Sequence, residues 1–346
     1  MATQPTTAPL NSEECINDIL GTIDRERERE IVSRRFGLFD RKETLEQIGE
    51  LLGITRERVR QLEKSVVNRL KSSAEQGNVP RIPELQTEFV SQLHNLGEIA
   101  RVSTLTEKLG TDTSKLQQAR VAFLAQLCPE LVVISEDDHY HHAVGIKAIR
   151  DTAAVKADAT KLIDAVKKIG EPVPIAEIAK AAGIADVKQA ESLASISKHL
   201  ATLNGRWGLV KWPMVNPKNI RDKIFVILKE HGKHMHFNEI ASAIKDSEFK
   251  RKDVTTQAIH NELIKDKRFV LIGRGIYALK EWGYEKGTVS DIISDVLKQE
   301  GGPLHRDEIV KRVLKSRYVK ETTILLNLQG KSQFKRVAKA TYALAE

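Results

Sequence analysis

At 346 residues the chain is too long for one small helical domain, and 41% hydrophobic with 5% aromatic residues favours several small, mainly helical domains. The net charge of +8 indicates an anionic partner, but charge alone does not separate nucleic acid from a membrane surface or an acidic protein. Two cysteines, Cys15 and Cys128, exclude a disulfide framework and a four-cysteine zinc site, and they fit a reducing cytoplasm.

The start of the chain predicts a disordered tail over residues 1–20. Met1 to Leu10 is rich in Thr, Pro and Ala and has neither the basic start nor the apolar run of a signal peptide. No stretch of the sequence approaches the roughly 20 apolar residues that a membrane-spanning helix needs. We therefore expect a cytoplasmic protein without a membrane partner.

A helix-turn-helix is predicted from Thr44 to Leu70, within a domain over residues 21–75. The first helix carries an apolar stripe and ends at Gly53, where a helix end favours a left-handed residue. Ile54 is the apolar residue of the turn, and Thr55 is a suitable cap for the second helix. Two helices joined in this way have the geometry of a DNA-reading motif.

The second helix has two contrasting faces. At about 100° per residue, one face holds Val59, Leu62, Val66 and Leu70. The opposite face holds Arg56, Glu57, Arg60, Gln61 and Lys64. In the major groove an Arg can pair with guanine, a Gln can pair with adenine and a Glu can accept from cytosine. The alternative interpretation is a solvated outer face, because helix-turn-helix shapes also serve as protein modules.

Four ungapped strings carry a family signature: Arg25–Val32, Arg34–Leu38, Thr44–Gly49 and, as the most specific, Gly53–Glu63. They resemble region four of the housekeeping sigma factors of bacterial RNA polymerase. The resemblance implies that double-stranded DNA is bound at a minus-thirty-five promoter element, with base contacts from Arg56, Glu57 and Gln61. It implies phosphate contacts from Arg35, Thr44, Arg60 and Lys64.

The same resemblance implies a second partner, the flap of the β subunit of bacterial RNA polymerase, and an association with the nucleoid. A second segment rich in Trp, Tyr, Phe and basic residues, of the kind that melts promoters, is absent from the sequence. We therefore expect a transcription-initiation factor or accessory polymerase subunit that does not open promoters by itself.

Beyond a flexible linker predicted around Gln76 to Pro83, the chain repeats one unit four times. Each repeat has an anchor glycine with apolar residues four and eight positions before it and eight positions after it. The anchors are Gly97, Gly170, Gly232 and Gly301. The predicted units cover residues 84–146, 152–214, 218–284 and 286–346.

The repeated units also end in the same way, with a strand, a turn and a second strand. Phe269–Leu279 and Phe334–Leu344 both place a Phe and a Tyr eight residues apart. Three helices followed by a β-hairpin form a winged helix. The predicted fold class is therefore mainly α with small β wings: a helix-turn-helix domain followed by tandem winged-helix units.

The third unit carries a second resemblance, on Gly232–Ala241 and Phe269–Trp282. These strings are similar to the HARE-type winged helix of the delta subunit of Gram-positive RNA polymerase and of chromatin-linked proteins. Where delta subunits have an acidic tail, residues 218–346 hold 26 Lys and Arg against 17 Asp and Glu. This basic excess favours DNA contact over displacement of nucleic acid.

Basic residues beside the helix starts and wings are secondary candidates for phosphate contacts, which would add salt-dependent and sequence-independent affinity. They are Lys250, Arg251, Lys252, Arg268, Arg274, Lys335 and Arg336. Ordinary solvated loops are the alternative interpretation.

No catalytic, metal or cofactor site is predicted. His139 and His141 would share a strand face, but no third protein ligand is identifiable. No phosphate-binding glycine loop and no nucleophile–base arrangement stands out. We therefore do not expect an enzyme or a small-molecule substrate.

Two other functions stay open at this point. The first is a polymerase-docking regulatory protein that does not read DNA sequence, and the second is a general DNA-binding nucleoid or defence protein. If an Arg56→Ala, Gln61→Ala variant kept its promoter occupancy, the DNA-reading interpretation would fail and the first alternative would be favoured. Equal affinity for promoter and scrambled duplexes would favour the second.

Overall fold

A computed structural model describes residues 10–251, 253–284 and 286–345. Helices make up most of these residues, which also form four small sheets of three strands each. The chain divides into two compact units, Met1–Val210 and Lys211–Glu346. The predicted fold class, mainly α with small β wings and a helix-turn-helix domain followed by tandem winged-helix units, is confirmed.

The first unit opens with four helices: α1 Ser12–Gly21, α2 Glu26–Phe36, α3 Leu45–Leu52 and α4 Arg56–Glu75. The predicted disordered tail is therefore wrong from Ser12 onward, while residues 1–9 lie outside the described residues. The Asn11 side chain caps α1 by accepting a hydrogen bond from the Glu14 backbone N–H at 3.2 Å. Ile16 and Ile19 are fully buried, because α1 packs its apolar face on the helix Lys115–Leu127.

Two winged helices complete the first unit. The earlier one consists of α5 Ile82–Leu96, β1 Ile99–Arg101, α6 Val102–Lys108, α7 Lys115–Leu127, β2 Leu131–Ile134 and β3 Ala143–Ile146. The later one consists of α8 Thr152–Ile169, β4 Val173–Pro174, α9 Ile175–Ala182, α10 Val187–Ile196, β5 Leu200–Leu203 and β6 Arg206–Leu209. In each sheet the last strand lies in the centre and pairs antiparallel with both others.

The helix-turn-helix and the first winged helix share one hydrophobic core. A single cluster of buried residues runs from Cys15 through Val66 and Phe89 to Ile146. The segment around Gln76 to Pro83 is a packed turn and not the flexible linker that was predicted. Val79 is 2% exposed there and belongs to the same cluster, so the turn is held by the core that it crosses.

The second winged helix packs on the first through α10. The Ser192 hydroxyl donates to the Leu96 carbonyl at the end of α5, and the Arg101 guanidinium donates to the Ser195 carbonyl. Arg150, just before α8, joins the two by donating to Glu98 of the first winged helix at 3.4 Å and to Asp158 of the second at 2.9 Å. These contacts make the third helix of the second winged helix part of an internal interface.

The second unit contains two further winged helices. The first comprises α11 Ile220–His231, β7 Met235–His236, α12 Phe237–Asp246, α13 Thr256–Lys265, β8 Phe269–Gly273 and β9 Ile276–Leu279, followed by a short 3-10 helix, Lys280–Trp282. The second comprises α14 Val289–Glu300, β10 Leu304–His305, α15 Arg306–Ser316, α16 Glu321–Gly330, β11 Phe334–Ala338 and β12 Thr341–Leu344. Arg317 ties them together by donating to the carbonyls of Leu271 and Gly287.

Candidate nucleic-acid interface

Local capping signals fix the two helices of the helix-turn-helix. The Thr44 hydroxyl accepts from the Gln47 backbone N–H at 3.3 Å, and the Gln47 side chain accepts from the Thr44 backbone N–H at 2.9 Å. Gly53 ends α3 with a φ of 62°, in the left-handed region that favours glycine. Thr55 caps α4, accepting from the Arg58 backbone N–H at 3.2 Å.

A small apolar cluster sets the orientation of α4. Ile31 of α2, Ile48 of α3 and Val59 of α4 are fully buried against one another. Because Val59 points into this cluster, the opposite face of α4 is turned to solvent. All five residues predicted on that face are exposed: Arg56, Glu57, Arg60, Gln61 and Lys64.

The exposed face of α4 carries its own network of ion pairs. Arg60 binds Glu57 through two donors, at 2.8 and 2.7 Å, and the Gln61 amide donates to the same carboxylate at 3.3 Å. Arg56 pairs with Glu46 of α3 at 2.9 Å. Exposed pairs of this kind contribute little to stability, so these side chains can exchange partners at small cost when a ligand arrives.

The Arg60 guanidinium, with help from the Gln61 amide, lowers the pKa of the Glu57 carboxyl to about 2. A depressed carboxyl pKa means that the ion pair is complete at neutral pH and is lost only as the pH falls towards 2. The base-facing surface of α4 therefore keeps an acceptor carboxylate beside its cations across the physiological range.

Replacing Arg60 by alanine is expected to raise the pKa of Glu57 towards its ordinary value of 4.5, because its main hydrogen-bond partner is removed. The carboxyl ¹³C shift of Glu57, followed by NMR across acid pH, measures this. Arg58→Ala is the matched control, since Arg58 donates to Gln61 at 3.4 Å and not to Glu57. A Glu57 that titrates near 4.5 in the unmodified protein would contradict the pairing.

The residues predicted to contact phosphates differ in their exposure and in their partners within the protein. Arg60 and Lys64 share the exposed face of α4, and the Thr44 hydroxyl serves as the cap of α3. Arg35 is half-buried at the end of α2, where it donates to Glu63 at 3.2 Å and to the Glu43 carbonyl at 3.4 Å. Its charge is thus partly neutralised within the protein.

The winged helix over residues 218–284 holds five of the secondary candidates, four of them outside its wing. Lys250 and Arg251 are exposed ahead of α13, and the Arg251 carbonyl accepts from the Lys223 ammonium at 2.6 Å. Lys252 lies outside the described residues. Arg268 is committed to Asp266 at 2.7 Å and Asp222 at 3.1 Å, and it also stacks on a phenylalanine ring. This network leaves Arg268 little capacity for a phosphate.

The wings hold the remaining candidates. Arg274 is exposed in the turn between β8 and β9. Lys335 and Arg336 are exposed on β11, where the Arg336 guanidinium donates to the Ala338 carbonyl at 3.2 Å. All three lie on the hairpins that extend from the winged helices.

Sequence reasoning missed that the third helices of the first two winged helices, α7 and α10, are covered by neighbouring domains. From Arg120 to Ala125 every residue of α7 is buried, because α1 and the helix-turn-helix pack against it. In the same way α10 lies against α5 and β1. The apolar run of α7 was the available signal, because a helix that is apolar all round is buried all round. In the first unit, α4 is therefore the recognition-type helix with an open polar face.

The histidine run does not form a strand face. His139 lies in a bend, and its Nδ1 is 2.8 Å from Nε2 of His199. Among residues 10–251, 253–284 and 286–345 there is no group of three or more His, Cys, Asp or Glu side chains placed to hold a metal ion. In that same part of the chain, none of the helices combines the length and apolar character needed to cross a membrane.

Comparison with known proteins finds one family that the helix-turn-helix resembles. Residues 25–72 match the family described as Sigma-70, region 4. The RNA polymerase sigma factor sigB of Arabidopsis thaliana is 43% identical over 76 residues, which are 22% of this chain and 12% of that protein. The RNA polymerase sigma factor SigA of a Bacillus species is 44% identical over 59 residues, 17% of this chain and 15% of that protein.

A third relative, the RNA polymerase sigma factor RpoD of Helicobacter pylori, is 51% identical over 49 residues, 14% of this chain and 7% of that protein. The chain thus covers between 7% and 15% of the length of these three relatives. The likeness concerns the segment from α2 to α4, which is a sigma-factor-like helix-turn-helix.

Proposed function

We propose that this protein is a transcription-initiation factor or accessory RNA polymerase subunit that reads a minus-thirty-five-like promoter duplex through α4. The observation that carries the proposal is the exposed polar face of α4, which lies inside the segment that matches sigma region four. The buried third helices α7 and α10 support it, because they leave α4 as the element of the first unit suited to a major groove.

The chemistry of the α4 face suits direct reading of bases. Arg56 offers two donors to guanine, Gln61 offers a donor and an acceptor to adenine, and Glu57 accepts from cytosine. On binding, the Arg56–Glu46 pair opens, and the Glu57–Arg60 pair yields Arg60 to a phosphate. Thr44, Arg35 and Lys64 are proposed to contact phosphates on either side, which sets the register of the helix on the duplex.

The second proposed partner is RNA polymerase, with the flap of its β subunit as the docking point of the helix-turn-helix. The relatives with similar segments are named as RNA polymerase sigma factors, which supports this partner. Because the likeness is confined to one small domain, promoter opening is not part of the proposal.

The two winged helices over residues 218–346 are proposed to strengthen DNA binding without reading the base sequence. Residues 218–284 are proposed as a HARE-type winged helix, and the exposed Lys250, Arg274 and Arg336 would contact phosphates. Each neutralised phosphate makes duplex affinity more sensitive to salt, by about 0.9 in the slope of log K against log salt. Arg268 is left out because of its two carboxylate partners.

The deciding experiment is fluorescence anisotropy of the full chain on a minus-thirty-five-type duplex and on a scrambled duplex, at one physiological salt concentration. The full chain is needed because the helix-turn-helix shares its core with the first winged helix. We expect a preference of about tenfold or more, or about 1.4 kcal/mol, for the promoter sequence. Arg56→Ala with Gln61→Ala is expected to abolish that preference.

Lys180→Ala is the matched control, because Lys180 is exposed on α9 in the same unit and lies outside the match to sigma region four. Equal affinity of the unmodified chain for both duplexes would reject sequence reading. Binding to purified polymerase that survives the double substitution would then favour the alternative function, a regulator that docks on polymerase. Strong binding to both duplexes would favour a general DNA-binding protein.

A further inference from the structure

A large cleft lies between the helix-turn-helix and the first winged helix, inside the first unit. Its volume is about 1280 Å³, and it is lined by the end of α2, the loop after it, α4, the start of α7 and the wing strand β2. Small-molecule pockets usually enclose about 300–1,000 Å³. The size of this open cleft favours an extended ligand.

Positive charge dominates the lining of the cleft. Seven Lys and Arg residues line it against four Asp and Glu residues. Two of the carboxylates are already engaged, Glu63 with Arg35 at 3.2 Å and Glu136 with Lys198 at 2.8 Å. A third, Asp151, caps α8 by accepting from the Ala154 backbone N–H at 2.8 Å. The cleft therefore presents a surplus of cations to any anionic ligand.

Desolvation and positive charge shift the pKa values of three groups at the cleft. Desolvation by the cleft walls and the neighbouring Arg35 lower the pKa of the Lys42 ammonium. Burial and Lys42 in turn lower the pKa of His142, and burial together with Arg101 lowers that of His141. All three shifts favour the uncharged forms, because the surroundings are partly desolvated and already positive, and a bound polyanion would oppose these shifts.

The cleft also offers apolar and aromatic surface. Phe36 lines it and packs against Phe123 with 4.9 Å between ring centroids, and His141 and His142 are also among the lining residues. Cationic side chains beside aromatic rings are the combination that binds unpaired bases together with their phosphates. A double helix keeps its bases stacked inside and cannot use such rings.

We propose that this cleft binds a single-stranded nucleic acid, whose phosphodiester backbone is held by Lys42, Lys115 and Lys147. The cleft shares Arg35 with the proposed duplex phosphate contacts, but the proposed base contacts Arg56, Glu57 and Gln61 do not line it. Lys71, which lines the cleft, lies about 22 Å along the helix axis from Arg56, at 1.5 Å per residue. The two activities can therefore be tested separately.

The test uses fluorescence anisotropy of the full chain with a labelled 12-nucleotide single-stranded DNA, the same sequence as RNA, and the corresponding 12-base-pair duplex. The cleft variant is Lys42→Ala, Lys115→Ala and Lys147→Ala, and all three side chains are exposed. The control is Lys108→Ala, Lys180→Ala and Lys188→Ala, three exposed lysines that do not line the cleft. Thermal melts establish that both variants are folded.

We expect the cleft variant to lose about tenfold or more in single-strand affinity, while the control keeps it. The salt slope should fall by about 2, since each lost single-strand phosphate contact removes about 0.7. Arg56→Ala with Gln61→Ala should leave single-strand binding unchanged, whether or not α4 reads promoters. Binding of either DNA or RNA supports the proposal, and the tighter of the two identifies the natural strand.

Four results would overturn the proposal. They are no single-strand binding by the unmodified chain, an equal loss in the control variant, an equal or larger loss in duplex affinity caused by the cleft substitutions, and complete displacement of the strand by equimolar inorganic tripolyphosphate. The last would mean that the cleft holds any compact anion.

Discussion

Replacing Arg120 by methionine is expected to lower the free energy of unfolding by about 2–4 kcal/mol. Arg120 comes from α7 and is 4% exposed, and its Nε donates to the Leu38 carbonyl after α2 at 2.7 Å. Its Nη2 reaches Glu13 of α1 at 2.9 Å. One buried side chain thus joins three segments of the shared core, and methionine would fill much of its volume but leave the Leu38 carbonyl unsatisfied.

Urea denaturation of the full chain measures this loss from the shift in midpoint at constant slope. Glu13→Gln is the control, because Glu13 is 57% exposed and an exposed partner contributes about 0–1 kcal/mol. If Arg120→Met were as stable as the unmodified chain, the hydrogen bond to Leu38 would not join the domains. If Glu13→Gln cost as much, the surface ion pair would be the source of the stability.

The helix-turn-helix could be predicted because its signals are local. The cap at Thr44, the left-handed Gly53 and the cap at Thr55 each act within a few residues, and the apolar spacing of α4 fixes its exposed face. The same holds for the wings, whose strands are joined by short turns. Local rules suffice where the interacting residues are near in sequence.

Other features could not be predicted because they depend on distant partners. The polar start of α1 concealed an apolar face that finds its partner only in α7. The basic run around Arg268 resembled a phosphate site until the fold brought Asp222 beside it. The basic cleft combines residues from seven stretches of the chain between Arg35 and Thr152, so no short sequence window contains it.

The anchor glycines of the repeat occupy equivalent positions in the sequence, but the atoms around them in the structure differ. Gly97 ends α5 with a φ of 89°, and a Cβ there would lie 2.6 Å from the Lys188 carbonyl oxygen of α10. Gly170 ends α8 with a φ of 84°, and a Cβ there would meet nothing within 4 Å. An alanine at either position would be strained by the positive φ. Only at Gly97 would its Cβ also collide with the backbone of another helix.

Gly97→Ala is therefore expected to lower the free energy of unfolding by about 2–4 kcal/mol, as left-handed strain and overpacking combine. Gly170→Ala should cost about 1 kcal/mol, the strain alone. Urea denaturation gives both values, and hydrogen exchange should show faster exchange of the α10 amides in Gly97→Ala only. Equal costs at the two glycines would mean that α10 does not press against the end of α5. The difference between the two losses in free energy of unfolding therefore measures how closely the first two winged helices pack together.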